Sequence, residues 1–228
     1  FFTDDNLARS PIWEPLFEGL IEMHKQGMPI HFMMQIDTQA YRIPGFVEKA
    51  SAAGCDCVFV GMESVNPKNM EASGKIQNET RTYARMVKTW HEAGARVHVG
   101  YIIGLPYDTL ESVRRDIIFL RDHVQVDEAS FFMLTPLPGS KVHQDMVKEC
   151  VPIDADLNNL DSMHETFRLP NMAPGEWAQA AHEAWSAFYS KESITNLLLR
   201  TPKERYWNMF WTTMWYRWSS VFVGTHPM

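Results

Sequence analysis

The sequence predicts an α/β fold: a partial (β/α) barrel of the TIM-like kind, with its first strand missing and a helical C-terminal extension behind it. Three observations predict it. Five apolar runs each end in a polar or Gly/Pro signature: FFTDDN (1–6), HFMMQID (31–37), CVFVGMES (57–64), VHVGYIIGLP (97–106) and SFFMLTPLPG (130–139). Four stretches of helical periodicity separate them, so strand and helix alternate in units of about thirty residues. The chemically useful side chains collect at the carboxyl end of each run, the rim where a (β/α) barrel carries its active site. Five strands cannot close a barrel of about eight. Phe1 stands inside the first apolar run with no turn before it, so the chain reads as a fragment lacking an upstream strand and loop.

Each element has a local reason. Ser10-Pro11 opens the first helix as N-cap and first helical residue, and Trp13, Leu16, Phe17, Leu20 and Ile21 give it one apolar face before Gly27. Pro44 starts a short helix through Phe46, Val47 and Ala50 that ends at Gly54. CVFVGMES is too short and too apolar to be other than a buried strand. Thr80 to Ala93 is helical, with Tyr83, Met86, Val87 and Trp90 on one face and Gly94 as its stop. Thr109-Leu-Glu-Ser caps a helix that runs to Val124 with Val113, Ile117 and Leu120 inward, and SFFMLT is the last core strand. The core is expected over 1–145 and the extension over 146–228. Residues 151–175 are loop-rich, and Glu176 to Tyr189 and Ser193 to Arg200 read as helices.

Composition bounds the function. A net charge of −7 without a basic run argues against a nucleic-acid surface. Cys55, Cys57 and Cys150 do not make a disulfide framework, which favours a cytoplasmic setting. Nine scattered histidines form no HExxH or other close pair, and His98 on a strand reads as a satisfied core residue, so no metal ligands are assigned.

The rim residues suggest what the site holds. An ammonium group needs carboxylate or carbonyl acceptors, and a sugar diol is best held by a carboxylate or amide that accepts two hydroxyl hydrogens. Asp4, Asp5, Asn6, Gln35, Asp37, Glu63 and Ser64 offer that chemistry. For Asp4, Asp5 and Asn6 a turn or cap cluster is the competing explanation. Glu63, ending the apolar strand VFVGM, must be satisfied by a ligand or by an internal cation.

FFTDDN, GMESVNPKNMEASGKIQN (61–78), GYIIGLPYDT (100–109) and TPLPGS (135–140), in that order, resemble the second, fourth, fifth and sixth strands of the radical S-adenosylmethionine family, in particular its subgroup linked to a cobalamin-binding domain. The resemblance implies S-adenosylmethionine as cofactor, contacted at its amine by Asp4-Asp5-Asn6 and at its ribose or amine by Glu63-Ser64. Its adenine would lie against Gly100, Ile102 and Gly104, followed by Leu105-Pro106. It also implies a four-iron four-sulfur cluster held by a CxxxCxxC loop. Cys55-Asp56-Cys57 has the wrong spacing and reads as two cysteines packed on one strand face, so the cluster ligands are expected upstream. The carboxylate that closes the family's adenine motif is replaced by Tyr107, with Asp108 after it.

The activity implied is reductive cleavage of S-adenosylmethionine to a 5′-deoxyadenosyl radical, for hydrogen abstraction or methyl transfer. The resemblance further implies cobalamin as a cofactor of the subgroup, and with it a small or lipid-like substrate and an electron donor such as flavodoxin or ferredoxin are expected. No catalytic residue is assigned. Two other readings stand beside it. One is a divalent-metal lyase or hydrolase using Asp4, Asp37, Glu63 and Asp108. The other is a non-catalytic module that docks on a membrane surface or partner through 204–224, where Trp207, Trp211, Trp215, Trp218 and Phe222 recur every three or four residues. That stripe reads either as interfacial or as packed, against the extension or against chain outside 1–228.

Overall fold

A computed structural model of the chain describes residues 1–72 and 82–227. The expected helix start at Thr80 and the tail of the 61–78 motif lie outside the described residues. Two compact units are formed, Phe1–Tyr101 with Asp122–Ser130, and Ile102–Arg121 with Phe131–Met228.

The first unit begins with α1 (Trp13–Lys25), β1 (Phe32–Ile36), α2 (Phe46–Ala52) and β2 (Cys55–Glu63), followed by α3 (Pro67–Ala72) and α4 (Tyr83–Glu92). Strands β3 (Arg96–Ile103) and β4 (Glu128–Met133) complete a sheet of order β1-β2-β3-β4. β1 and β3 both run parallel to β2. The alternation of each strand decides what it faces. Phe32, Met34 and Ile36 of β1, Val58, Val60 and Met62 of β2, and Val97, Val99 and Tyr101 of β3 are all buried. An aromatic cluster supports them, with Trp13 edge-on to Phe46 at 5.0 Å and Phe46 edge-on to Trp90 at 6.2 Å.

FFTDDN is not a strand. One backbone bond, from Phe2 N–H to Met33 C=O at 2.9 Å, joins it to β1, and Asp4 then turns the chain by accepting the Asn6 amide at 2.9 Å. Among the described residues the sheet therefore has four strands where five were expected. The first helix starts at Trp13 rather than Pro11, because Ser10 to Ile12 form a separate turn closed by Trp13 N–H to Ser10 C=O. Two short helices were not expected, α3 and α6 (Lys141–Lys148). Asn66 caps the first by accepting from Lys68 N–H, and Ser140 caps the second by accepting from His143 N–H.

The second unit contains α5 (Leu110–Ile118), which opens with a reciprocal Thr109/Ser112 capping box and widens into a π-helical turn over Phe119–Val124. Helices α7 (Glu176–Phe188), α8 (Lys191–Arg200) and α9 (Tyr206–Arg217) follow, and α9 continues as a second π-helical turn to Val223. Phe131 is edge-on to Trp185 at 5.1 Å, and Arg114 of α5 grips Glu183 of α7 with two bonds of 2.5 and 2.8 Å. The aromatic stripe is not packed against this extension: Trp207 and Trp211 are each 67% exposed, Trp215 51%, Trp218 54% and Phe222 67%.

Candidate functional site

Strand register brings two glycines side by side to form a floor. Gln35 pairs with Phe59, and Phe59 with His98, so these three share one row of the sheet. The next row toward the carboxyl ends places Gly61 against Gly100. Gly61 is half-buried and Gly100 buried, and neither puts a Cβ of its own over the backbone of this row.

Glu63 overhangs that floor. Its φ is +66°, rare for a residue with a Cβ, and Ser64 N–H closes a three-residue turn on Met62 C=O at 2.8 Å. A backbone held this way stores about 1–3 kcal/mol of strain and persists only when its surroundings fix it. The buried Tyr83 hydroxyl does so, donating toward the carbonyls of Met62 at 3.4 Å and Ser64 at 3.3 Å, one on each side of Glu63. Burial, and then the Glu63 charge, push the Tyr83 phenol above its usual range. The turn folds the carboxylate back over the floor: a Cβ on Gly61 would stand 3.0 Å from Glu63 Oε1. Ser64 is fully buried, and its hydroxyl accepts from Asn66 N–H at 3.0 Å.

Asp37, at the end of β1, is tied to the N-terminal turn. Its Oδ2 accepts from Arg9 Nε at 2.7 Å and from Asn6 Nδ2 at 3.0 Å, and its Oδ1 accepts from Gln39 N–H at 2.8 Å. Burial raises its carboxyl, but the bonds from Arg9, Asn6 and Gln39 outweigh it, and the net shift is downward. A depressed carboxylate contributes stability that is present above its unfolded range and lost as pH falls through its folded value. The protein should therefore lose stability progressively below about pH 4, and Asp37→Asn should flatten that part of the profile. Urea midpoints across the acid range measure it; an unchanged slope in the variant would contradict the assignment. Asp4 and Asp5 are exposed, and Gln35 is half-buried.

In the second unit, Ile102 is half-buried and the chain leaves β3 through Gly104 at φ +107°. Asp108 accepts from the amides of Gly104 and Leu105, both at 3.0 Å, and the Pro106 carbonyl accepts from Asn171 Nδ2 at 2.7 Å. A Cβ on Gly104 would lie 2.5 Å from the Trp177 indole, whose Nε1 donates to Ile103 C=O at 2.8 Å. A cleft of about 410 Å³ nearby in the same unit is lined by Glu165, Phe167, Arg168 and Trp177 among others. Cys55 and Cys57 are buried as expected, and burial pushes the Cys57 thiol up. Among the described residues no group of three or more His, Cys, Asp or Glu is placed to hold a metal ion.

Sequence reasoning missed Tyr83 as a brace and Arg9 as the partner of Asp37. It also missed a charged network on the floor side of the sheet. Arg96 reaches Glu128 at 2.5 Å and Asp56 at 3.4 Å, while His98 bonds Ser130 at 2.8 Å. The period-2 alternation of Arg96, His98 and Gly100 was the available signal.

No protein-family model matches the sequence. The chain is 27% identical over 176 residues to bacteriochlorophyllide d C-12(1)-methyltransferase of Chlorobaculum tepidum, covering 77% of this chain and 37% of that protein. It thus spans well under half the length of the curated relatives it matches. Among solved structures, the radical S-adenosylmethionine methyltransferase TsrM of Kitasatospora setae, with cobalamin and a [4Fe-4S] cluster bound, superposes with a TM-score of 0.61 at 16% identity, covering 94% of this chain and 51% of that one. The cobalamin-dependent S-adenosylmethionine radical enzyme OxsB matches with a TM-score of 0.59 at 14% identity, covering 97% and 38%.

Proposed function

From a fold shared with the radical S-adenosylmethionine enzymes, a partial (β/α) barrel with helices behind it, we propose that the chain is the cofactor-holding portion of a radical methyltransferase. S-adenosylmethionine is the ligand, and Glu63 is the residue that grips its ammonium or ribose end. The observation that carries this reading is the strained turn at Glu63. A buried strand end that spends backbone energy to aim a carboxylate over bare glycine backbone is built for a ligand with hydrogens to donate and a flat part to lay down.

The chain's own groups divide the work. Gly61 and Gly100 give the flat part close approach, Tyr83 holds the turn, and Asp37 with Arg9 and Asn6 fixes the neighbouring loop. When bound, S-adenosylmethionine supplies the methyl group and, on reductive cleavage, the radical. The three cysteines do not fit a cluster: Cys55 and Cys57 sit two apart inside β2, and Cys150 lies beyond β4. This reading therefore takes the cluster ligands from residues outside 1–228. Cobalamin and methyl transfer enter it through the relatives alone.

Replacing Glu63 by Gln removes one charge-assisted hydrogen-bond acceptor, worth about 1.5–3 kcal/mol, and should weaken S-adenosylmethionine binding roughly ten- to a hundredfold. Calorimetric titration of the cluster-loaded full-length protein, which on this reading includes the cluster ligands, measures it. Equal affinity in a well-folded variant would make Glu63 a structural residue and remove the basis of the proposal.

A further inference from the structure

We propose that the aromatic face of α9 and the turn after it docks on an anionic lipid bilayer, lying in the interface rather than crossing it. The inward face of the helix is narrow and mixed, with Met209 and Tyr216 buried beside small hydroxyl residues. Thr213, Ser219 and Ser220 face inward, at 0%, 2% and 5% exposure, and the hydroxyls of Thr213 and Ser220 are spent on the helix's own carbonyls at Met209 and Tyr216. The largest rings, Trp207, Trp211, Trp215, Trp218 and Phe222, face outward along the whole segment, a strip of roughly 25 Å. A tryptophan joins an apolar body to one N–H donor, which suits the boundary between headgroups and acyl chains. Among the described residues no helix is long and apolar enough to cross a membrane.

Charge names the surface. The chain as a whole carries −7, yet residues 193–227 hold Arg200, Lys203, Arg205 and Arg217 against the single acid Glu204. Arg217 lies over the Phe222 ring at 5.4 Å, which places a cation at the edge of the aromatic strip. A basic aromatic segment in an acidic chain is attracted to anionic headgroups while the rest of the chain is repelled, and this orients the contact. A second copy meeting the same face would bring two cationic segments together, which disfavours self-association as the alternative.

The test is sedimentation of the intact protein with vesicles of phosphatidylcholine alone and of equal parts phosphatidylcholine and phosphatidylglycerol. Binding to the mixed vesicles should exceed binding to neutral ones by at least about tenfold. The combined variant Trp207→Ser, Trp211→Ser, Trp215→Ser should lose most of that binding with its circular dichroism unchanged, and Lys203→Glu alone should weaken it several-fold. Three results would overturn the proposal: no binding of the folded protein to the mixed vesicles, binding indifferent to the Trp substitutions, or stripe tryptophans already shielded from a collisional quencher in lipid-free solution. The last result would mean that a protein surface covers them, and loss of a dimer in the Trp variant would identify that surface as a second copy.

Discussion

Replacing Arg96 by Ala should lower stability by about 3–5 kcal/mol, the usual cost of removing one partner from a buried ion pair. Glu128 is buried, and burial already pushes its carboxyl above the ordinary range against the pull of the Arg96 guanidinium. Without that guanidinium the carboxylate still has His98 Nδ1 at 3.5 Å, a cation only when the imidazole is protonated. Two consequences separate this from a simple loss of packing. A carboxyl raised in the folded state stabilises at low pH and loses that contribution as pH rises through its folded value, so the variant should weaken more steeply than the parent as pH rises above the ordinary carboxylate range. The double variant Arg96→Ala, Glu128→Gln should recover part of the loss, because it removes the stranded charge. Denaturant melts of the four proteins measure both, and additive effects would contradict the account.

Gly104→Ala carries the second large penalty. At φ +107° a side chain is strained at a cost of about 1–3 kcal/mol, and overpacking adds about 1–3 kcal/mol more. The new methyl would meet the Trp177 indole at 2.5 Å, and the indole cannot retreat without giving up its bond to Ile103 C=O. A melting temperature within a degree or two of the parent would show that Trp177 yields. Gly61→Ala is a useful contrast, since there the methyl meets only the movable carboxylate of Glu63.

The strand–helix alternation was legible because apolar runs of period two and helices of period near 3.6 differ over even a few residues. β1 to β4 all fall within or against the expected runs. Boundaries were less legible, and the error had consequences. Starting β3 at Val97 and β4 at Ser130 excluded Arg96 and Glu128, the two residues that form the buried ion pair. Polar residues at strand starts read as loop until the strand that pairs with them is known. FFTDDN has a strand's composition, but one ladder bond does not make a strand.

At the site, Glu63, Gly61 and Gly100 were visible as a carboxylate and glycines near strand ends. Their union depends on register, which one sequence does not encode locally. The turn that aims Glu63 depends on Tyr83, twenty positions along the chain, whose place on an apolar helix face gave no hint that its hydroxyl reaches β2. The direction of the Trp stripe was open for the same reason: periodicity finds a face and leaves undecided which face is inward.

The most direct measurement of the central claim is hydrogen–deuterium exchange of the cluster-loaded full-length protein with and without S-adenosylmethionine, read at peptide resolution. The account predicts protection concentrated on the carboxyl end of β2 around residues 59–64 and on the β3 segment that contains Gly100, with that protection lost in Glu63→Gln at the same ligand concentration. Saturating ligand that leaves both segments unchanged and protects another part of the chain would place the cofactor elsewhere and contradict the account.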